Sequence, residues 1–147
     1  MKHLIKLLNL PYPGGPHIER IAKEGNPKKF NYPRPMMHSD NLNLSFSGLK
    51  TAVLYSIRDL ENLDENIPDI AASFQRAAID VLVSKIKKSI IQTHRDTLIL
   101  AGGVAANGLL RDEMSKLEAE LNIKVRYPAM KHCTDNAAMI AYLGSLK

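Results

Sequence analysis

A chain of 147 residues with 45% hydrophobic and 24% charged residues has a globular composition, which argues against disorder, collagen and disulfide scaffolds. Its length suffices to bury roughly 70% of the unfolded surface around one core. Cys133 is the only cysteine, which excludes an internal disulfide and any Cys-x-x-Cys thiol cluster. No apolar run approaches the roughly 20 residues that span a bilayer, and Met1 to Lys6 lacks a signal-peptide core, so a cytoplasmic protein with no membrane partner is expected. The net charge of +5 is uneven: residues 1–50 hold eight Lys/Arg against three Asp/Glu, whereas residues 51–147 hold twelve of each.

Residues 1–46 form a basic segment rich in Pro and Gly, where turns and short elements are expected. Within Tyr12-Pro13-Gly14-Gly15-Pro16-His17-Ile18-Glu19, the glycines between prolines predict a tight turn at the start of a short helix over 16–23. That turn is either a structural device or a place where a ligand lies against bare backbone, with Glu19 one turn further on to accept hydroxyl hydrogen bonds. The stretch Gly25 to Asn41 is longer than most loops of compact domains. Lys28, Lys29 and Arg34 interleave there with Phe30 and Tyr32, which suits either a phosphate backbone or a solvated loop. Leu42, Leu44 and Phe46 alternate with polar residues and predict a short half-buried strand.

Residues 47–147 read as an α/β lobe. Leu49, Val53, Ile57 and Leu60 predict a helix over 48–60 with Ser47 as its N-cap. Pro68 and Asp69 then open a long helix with Ile70, Phe74, Ala78, Val81, Leu82, Ile86 and Ile90 on one face. Leu98 to Ala101 predicts a buried strand ended by Gly102-Gly103, followed by a helix over 105–121 and a second strand over 123–127. A last helix begins near Thr134 and carries Ala137, Ala138, Ile140, Ala141 and Leu143. Two core strands are too few for a complete α/β domain, so the chain reads as part of a fold or as one whose core a partner surface completes.

Chemistry is suggested at two further places. The strand running into Gly102-Gly103 and then a helix suits a nucleotide or phosphate, although such turns often use glycine for geometry alone. Asp135 stands at a helix start, where a carboxylate usually caps amides; a metal role needs further ligands. The five histidines, His3, His17, His38, His94 and His132, never fall at i+3 or i+4 from one another. No catalytic residue is assigned on spacing.

Taken together, Tyr12 to Pro16 (YPGGP), Phe46 to Val53 (FSGLKTAV), Asp69 to Phe74 (DIAASF), Ala101 to Asn107 (AGGVAAN) and Cys133 to Ala141 (CTDNAAMIA) resemble the tRNA threonylcarbamoyladenosine synthase family, also called the glycoprotease or O-sialoglycoprotein endopeptidase family. The resemblance covers nearly the whole chain. It implies the carboxy-terminal lobe of an actin, sugar-kinase and heat-shock-ATPase type of fold. The implied activity is transfer of threonylcarbamoyl from threonylcarbamoyl-AMP to N6 of adenosine 37 in tRNAs that read codons beginning with A. By the same resemblance Asp135 matches a metal ligand (iron or zinc), Gly15 and Asn107 match adenylate-holding positions, Glu19 matches a ribose contact, and Gly102 and Gly103 match the nucleotide-side loop. The family's His-x-x-x-His and Ser-Gly-Gly-His motifs are not found in these 147 residues, and Lys2 stands where the family has a ligand-binding Asp. The chain is therefore expected to be a truncated or split member, inactive alone, with tRNA, threonylcarbamoyl-AMP and accessory proteins or a complementary amino-terminal half as partners. The alternative is a noncatalytic protein-interaction module derived from the lobe.

Overall fold

The computed structural model describes Leu8, residues 14–133 and residues 136–146. The chain is a helix-rich α/β protein in two compact units, Met1–Gln92 and Thr93–Lys147. In chain order the elements are α1 (Gly14–Ala22), α2 (Ser47–Arg58), α3 (Leu63–Thr93), β1 (Thr97–Ile99), α4 (Gly108–Leu121), β2 (Lys124–Arg126) and α5 (Ala137–Ser145). Short 3-10 turns lie at Gly103–Ala106 and Met130–His132.

In the first unit, Ile18 and Ala22 of α1, Leu49 and Val53 of α2, and Ile70, Ala71, Ala72 and Ala77 of α3 form one buried cluster with Leu8 and Tyr32. Helices α1 and α2 contribute residues four apart, one stripe each, whereas α3 buries Ile70, Ala71 and Ala72 in succession and so presents a broad face. Gly14 and Gly15 are the first residues of α1, where a turn is expected from the sequence, and Pro16 is tolerated in that first turn because the amide it lacks has no partner there. Ser47 likewise lies inside α2. Phe46 occupies the cap position with no side-chain hydrogen bond, so Ser47 is not the cap.

Helix α3 starts at Leu63, five residues before Pro68. The proline is therefore internal, and it removes the amide that would have bonded the Asp64 carbonyl. The segment 25–41 lies along this helix as a strap. Asn26 N donates to Asp69 Oδ1 at 2.6 Å and Lys29 Nζ to Asp69 Oδ2 at 2.8 Å. Phe30 N donates to Ser73 Oγ at 3.2 Å, Arg34 Nε to Asp80 Oδ2 at 2.9 Å, and Ser84 Oγ to the Met37 carbonyl at 3.2 Å. Lys85 Nζ closes the series on the Ser39 and Asn41 carbonyls, at 2.9 and 2.7 Å. Positions 69, 73, 80 and 84 share one face of a helix, and their polar side chains form a seam that holds the strap. Asp69 accordingly binds the strap instead of complementing the helix dipole. These bonds, the Asn26 amide foremost and then the Lys29 ammonium, hold its carboxyl below the usual carboxylate range.

Residues 42–46 form no strand, and Leu42, Leu44 and Phe46 are exposed. Alternation alone does not make a strand without a neighbour to pair, and the described residues provide none here.

In the second unit, β1 and β2 pair in parallel, with Thr97 opposite Lys124, Leu98 opposite Val125 and Ile99 opposite Arg126. Helix α4 connects them and buries Leu110, Met114 and Leu117 with Ala105, Ile123, Val125 and Cys133. Asn122, at φ 52°, ends α4 in the left-handed conformation that asparagine tolerates. Two expectations fail here. Strand β1 is not buried, since Ile99 is 73% exposed. Helix α5 begins at Ala137 and none of its residues is buried, Ile140 being 72% exposed. With only two strands described, nothing among the described residues covers these apolar positions.

Candidate functional site

The turn after β1 is built by its glycines in different ways. Gly102 has φ 83° and ψ 175°, a conformation essentially reserved for glycine. Gly103 has no such requirement, and a Cβ added there would meet nothing within 4 Å. The backbone beside Gly103 therefore lies open at the entry to α4. The Ala105 amide donates to the Gly102 carbonyl at 3.0 Å and the Asn107 amide to the Val104 carbonyl at 3.0 Å, which winds residues 103–106 into their 3-10 turn.

Asn107 ends that turn and caps α4: its Oδ1 accepts the Leu110 amide at 3.0 Å. The cap fixes the orientation of the carboxamide relative to the glycine backbone. Gly102, Gly103 and Asn107 are thus brought together in one turn.

Arg111, which nothing in the sequence pattern singled out, ties this turn to the CTDN segment. Its Nε donates to the Ala105 carbonyl at 2.6 Å and its Nη2 to Cys133 Sγ at 3.5 Å. Its guanidinium carbon lies 4.8 Å from the centre of the Tyr127 ring, a cation–π distance. The available signal was its place one helical turn after Asn107, on the face that looks back at the loop. Burial pushes the Tyr127 hydroxyl up from its ordinary value, with Ser115 opposing. That hydroxyl makes no hydrogen bond of good geometry among the described residues.

Gly15 and Glu19 lie on α1 in the first unit, four residues apart, both partly buried. Asp135, expected as a metal ligand, lies outside the described residues. Among the described residues no group of three or more His, Cys, Asp or Glu side chains could hold a metal ion. No described helix is long and apolar enough to cross a membrane.

The described residues form a helix-rich α/β chain in which a parallel strand, a glycine turn and a capped helix follow one another, the turn tied by Arg111 to Cys133. Comparison with known proteins identifies the family. The profile of the tRNA N6-adenosine threonylcarbamoyltransferase (TsaD) family matches residues 2–142, and the chain belongs to that family. Proteins named tRNA N6-adenosine threonylcarbamoyltransferase are similar to it throughout. The one from Thermosipho africanus is 51% identical over 141 residues, covering 95% of this chain and 42% of the relative. Those of Fervidobacterium nodosum and Neisseria meningitidis are 49% and 43% identical, each covering 96% of this chain and 43% and 45% of the relative. The chain thus spans less than half the length of the relatives it matches.

Proposed function

We propose that this chain serves as the carboxy-terminal part of a tRNA threonylcarbamoyltransferase, in a fold of the actin and sugar-kinase type. The observation that carries this reading is the open backbone at Gly103 beside the capping Asn107, in a chain whose family moves threonylcarbamoyl to N6 of adenosine in tRNA. Residues 102–107 would face the phosphate side of threonylcarbamoyl-AMP. Gly102 bends the backbone, Gly103 admits close approach, and Asn107 presents a fixed carboxamide. Arg111 holds the turn in register with Cys133, and so with the segment that carries Asp135. From α1, Gly15 would meet the adenylate and Glu19 the ribose hydroxyls.

Asp135 is proposed to give one ligand to a divalent metal, iron or zinc. Such sites usually take three protein ligands or more, so the rest would come from a complementary amino-terminal half bearing the His-x-x-x-His motif. Such a group would supply Lewis-acid polarisation of the threonylcarbamoyl carbonyl. Because a half cleft lacks preorganised donors, the 147 residues alone are expected to be inactive.

The test supplies threonylcarbamoyl-AMP and tRNA to the chain alone and to the chain mixed with the amino-terminal half of the Thermosipho relative, reading modified adenosine by mass spectrometry. Product is expected only from the mixture. Product from the chain alone would overturn the dependence on a second half. No product from the mixture, under conditions where the intact relative works, would overturn the transferase reading and leave an interaction module.

A further inference from the structure

Where the strap crosses α3, Pro27, Lys28, Phe30, Asn31, Arg34 and Arg76 line a surface cleft of about 400 Å³. This volume lies in the range of small-ligand sites. Lys28, Arg34 and Arg76 face it, and Asp80 engages the two arginines. Arg34 Nε and Arg76 Nη2 bind the two oxygens of Asp80 at 2.9 and 2.7 Å, which sets both guanidinium groups in place. Arg34 Nη1 is also fixed, on the Tyr32 carbonyl at 2.8 Å, while its Nη2 has no partner among the described residues. Neither has Lys28 Nζ, although the neighbouring Lys29 is engaged with Asp69. Lys28 Nζ and Arg34 Nη2 therefore bring the cleft positive charge that no described residue engages.

It also holds an aromatic ring in a fixed place. Phe30 stacks on Tyr32 with centroids 5.7 Å apart and planes 9° from parallel. The Tyr32 hydroxyl is bound to Ser56 Oγ at 2.8 Å, and the Phe30 amide to Ser73 Oγ. An acidic peptide or a duplex backbone would use the cations alone. An unpaired nucleotide uses both features, its phosphate on the cations and its base on an aromatic or guanidinium plane.

We propose that this cleft is a docking site for a nucleotide of single-stranded RNA, separate from the glycine turn after β1. Lys28, Arg34 and Arg76 take the phosphate, and Phe30 with Arg34 provides the surface for the base. The proposal rests on the reading that the chain acts with tRNA, and it names where an unpaired stretch of that RNA is held. The net positive charge of residues 1–50 favours an anionic partner such as RNA.

The test measures binding of the full chain to a fluorescein-labelled RNA hairpin with a single-stranded loop, to a blunt RNA duplex and to a polyglutamate peptide, by anisotropy across a salt series. Lys28→Glu removes an unpartnered cation without touching the core; Phe30→Leu keeps bulk and removes the ring. Lys116→Glu on α4 makes the same charge change elsewhere. Lys28→Glu is expected to lower the slope of log affinity against log salt by about 1. Phe30→Leu is expected to weaken hairpin binding by about fivefold or more while hardly changing duplex binding. Equal losses for Lys28→Glu and Lys116→Glu with none for Phe30→Leu would overturn the cleft and leave RNA binding as diffuse attraction. Lys28-dependent capture of polyglutamate in preference to the hairpin would overturn it in favour of an acidic protein partner. If the mixture of halves modifies tRNA while Lys28→Glu and Phe30→Leu leave its KM for tRNA unchanged, the cleft fails and the transferase reading stands.

Discussion

Lys85 shows how one residue can contradict its residue type. A lysine near the end of a long helix is expected at the surface, yet this one is 4% exposed. Its ammonium binds the Ser39 carbonyl, the Ser39 hydroxyl at 2.8 Å and the Asn41 carbonyl, all uncharged oxygens. Replacing it by Met keeps the stem and strands those acceptors. Lys85→Met should cost about 2 kcal/mol in urea unfolding, the value of a buried charge-assisted bond. Lys88 also reaches the strap, through Ser39 and the fully exposed Asp40, and Lys88→Met should cost less than about 1 kcal/mol. Asp69 gives the strap its pH dependence. Its folded pKa lies below the ordinary 3.8, so its contribution is complete above that value and is lost as pH falls through the folded pKa. Asp69→Asn should therefore lower the urea midpoint at neutral pH, and the difference from the parent chain should shrink to nothing as the pH is taken well below 3.8.

At the scale of elements, glycines separate geometry from approach. A Cβ at Gly25 would collide with the backbone carbonyl of Pro68, so Gly25→Ala must push the strap off α3 and should cost about 1–3 kcal/mol. In the second unit, Gly102→Ala is strained by its positive φ and should cost about 1–3 kcal/mol, whereas Gly103→Ala should leave stability within about 0.5 kcal/mol. If Gly103 admits a ligand, its Ala variant should nevertheless lower transfer by the mixture of halves; unchanged transfer would assign Gly103 no part in binding. The contrast between these glycines was not legible in the sequence, where Gly102-Gly103 is a single signal. Helical stripes were legible in part: Leu49 and Val53 are buried at the expected spacing, whereas on α3 Ile70, Val81 and Ile90 are buried but Phe74, Ala78, Leu82 and Ile86 only partly, with Ala71, Ala72, Ala77 and Ile79 buried beside them. Leu42 to Phe46 misled because period-two alternation records compatibility with a strand and not the presence of a partner strand. The strap along α3 was hidden for a similar reason. Its anchors Asp69, Ser73, Asp80 and Ser84 are polar, and polarity reads as solvent until the facing segment is known.

For the whole molecule, the motif order placed the chain in its family, while spacing alone left each candidate site open. The glycine turn was found because strand, glycine and helix follow one another along the sequence, and Asn107 through the family resemblance. Arg111 was missed because its value lies in contacts with Ala105, Tyr127 and Cys133, which only folding brings together. The same limit applies to the apolar residues of α5. Ile140 and Leu143 read as core, yet they are exposed, as are Tyr142 and Leu146. Apolar area left in water contributes nothing to holding the second unit together, so its stability must rest on the buried set around Met114. Met114→Ala should therefore cost about 2–5 kcal/mol in the unfolding of that unit. The double variant Ile140→Lys, Leu143→Lys should leave its unfolding free energy in urea within about 0.5 kcal/mol while lowering the fluorescence of a bound hydrophobic dye. A lowered midpoint for the double variant, with dye binding unchanged, would mean that α5 packs in solution and that its apolar side is part of the core.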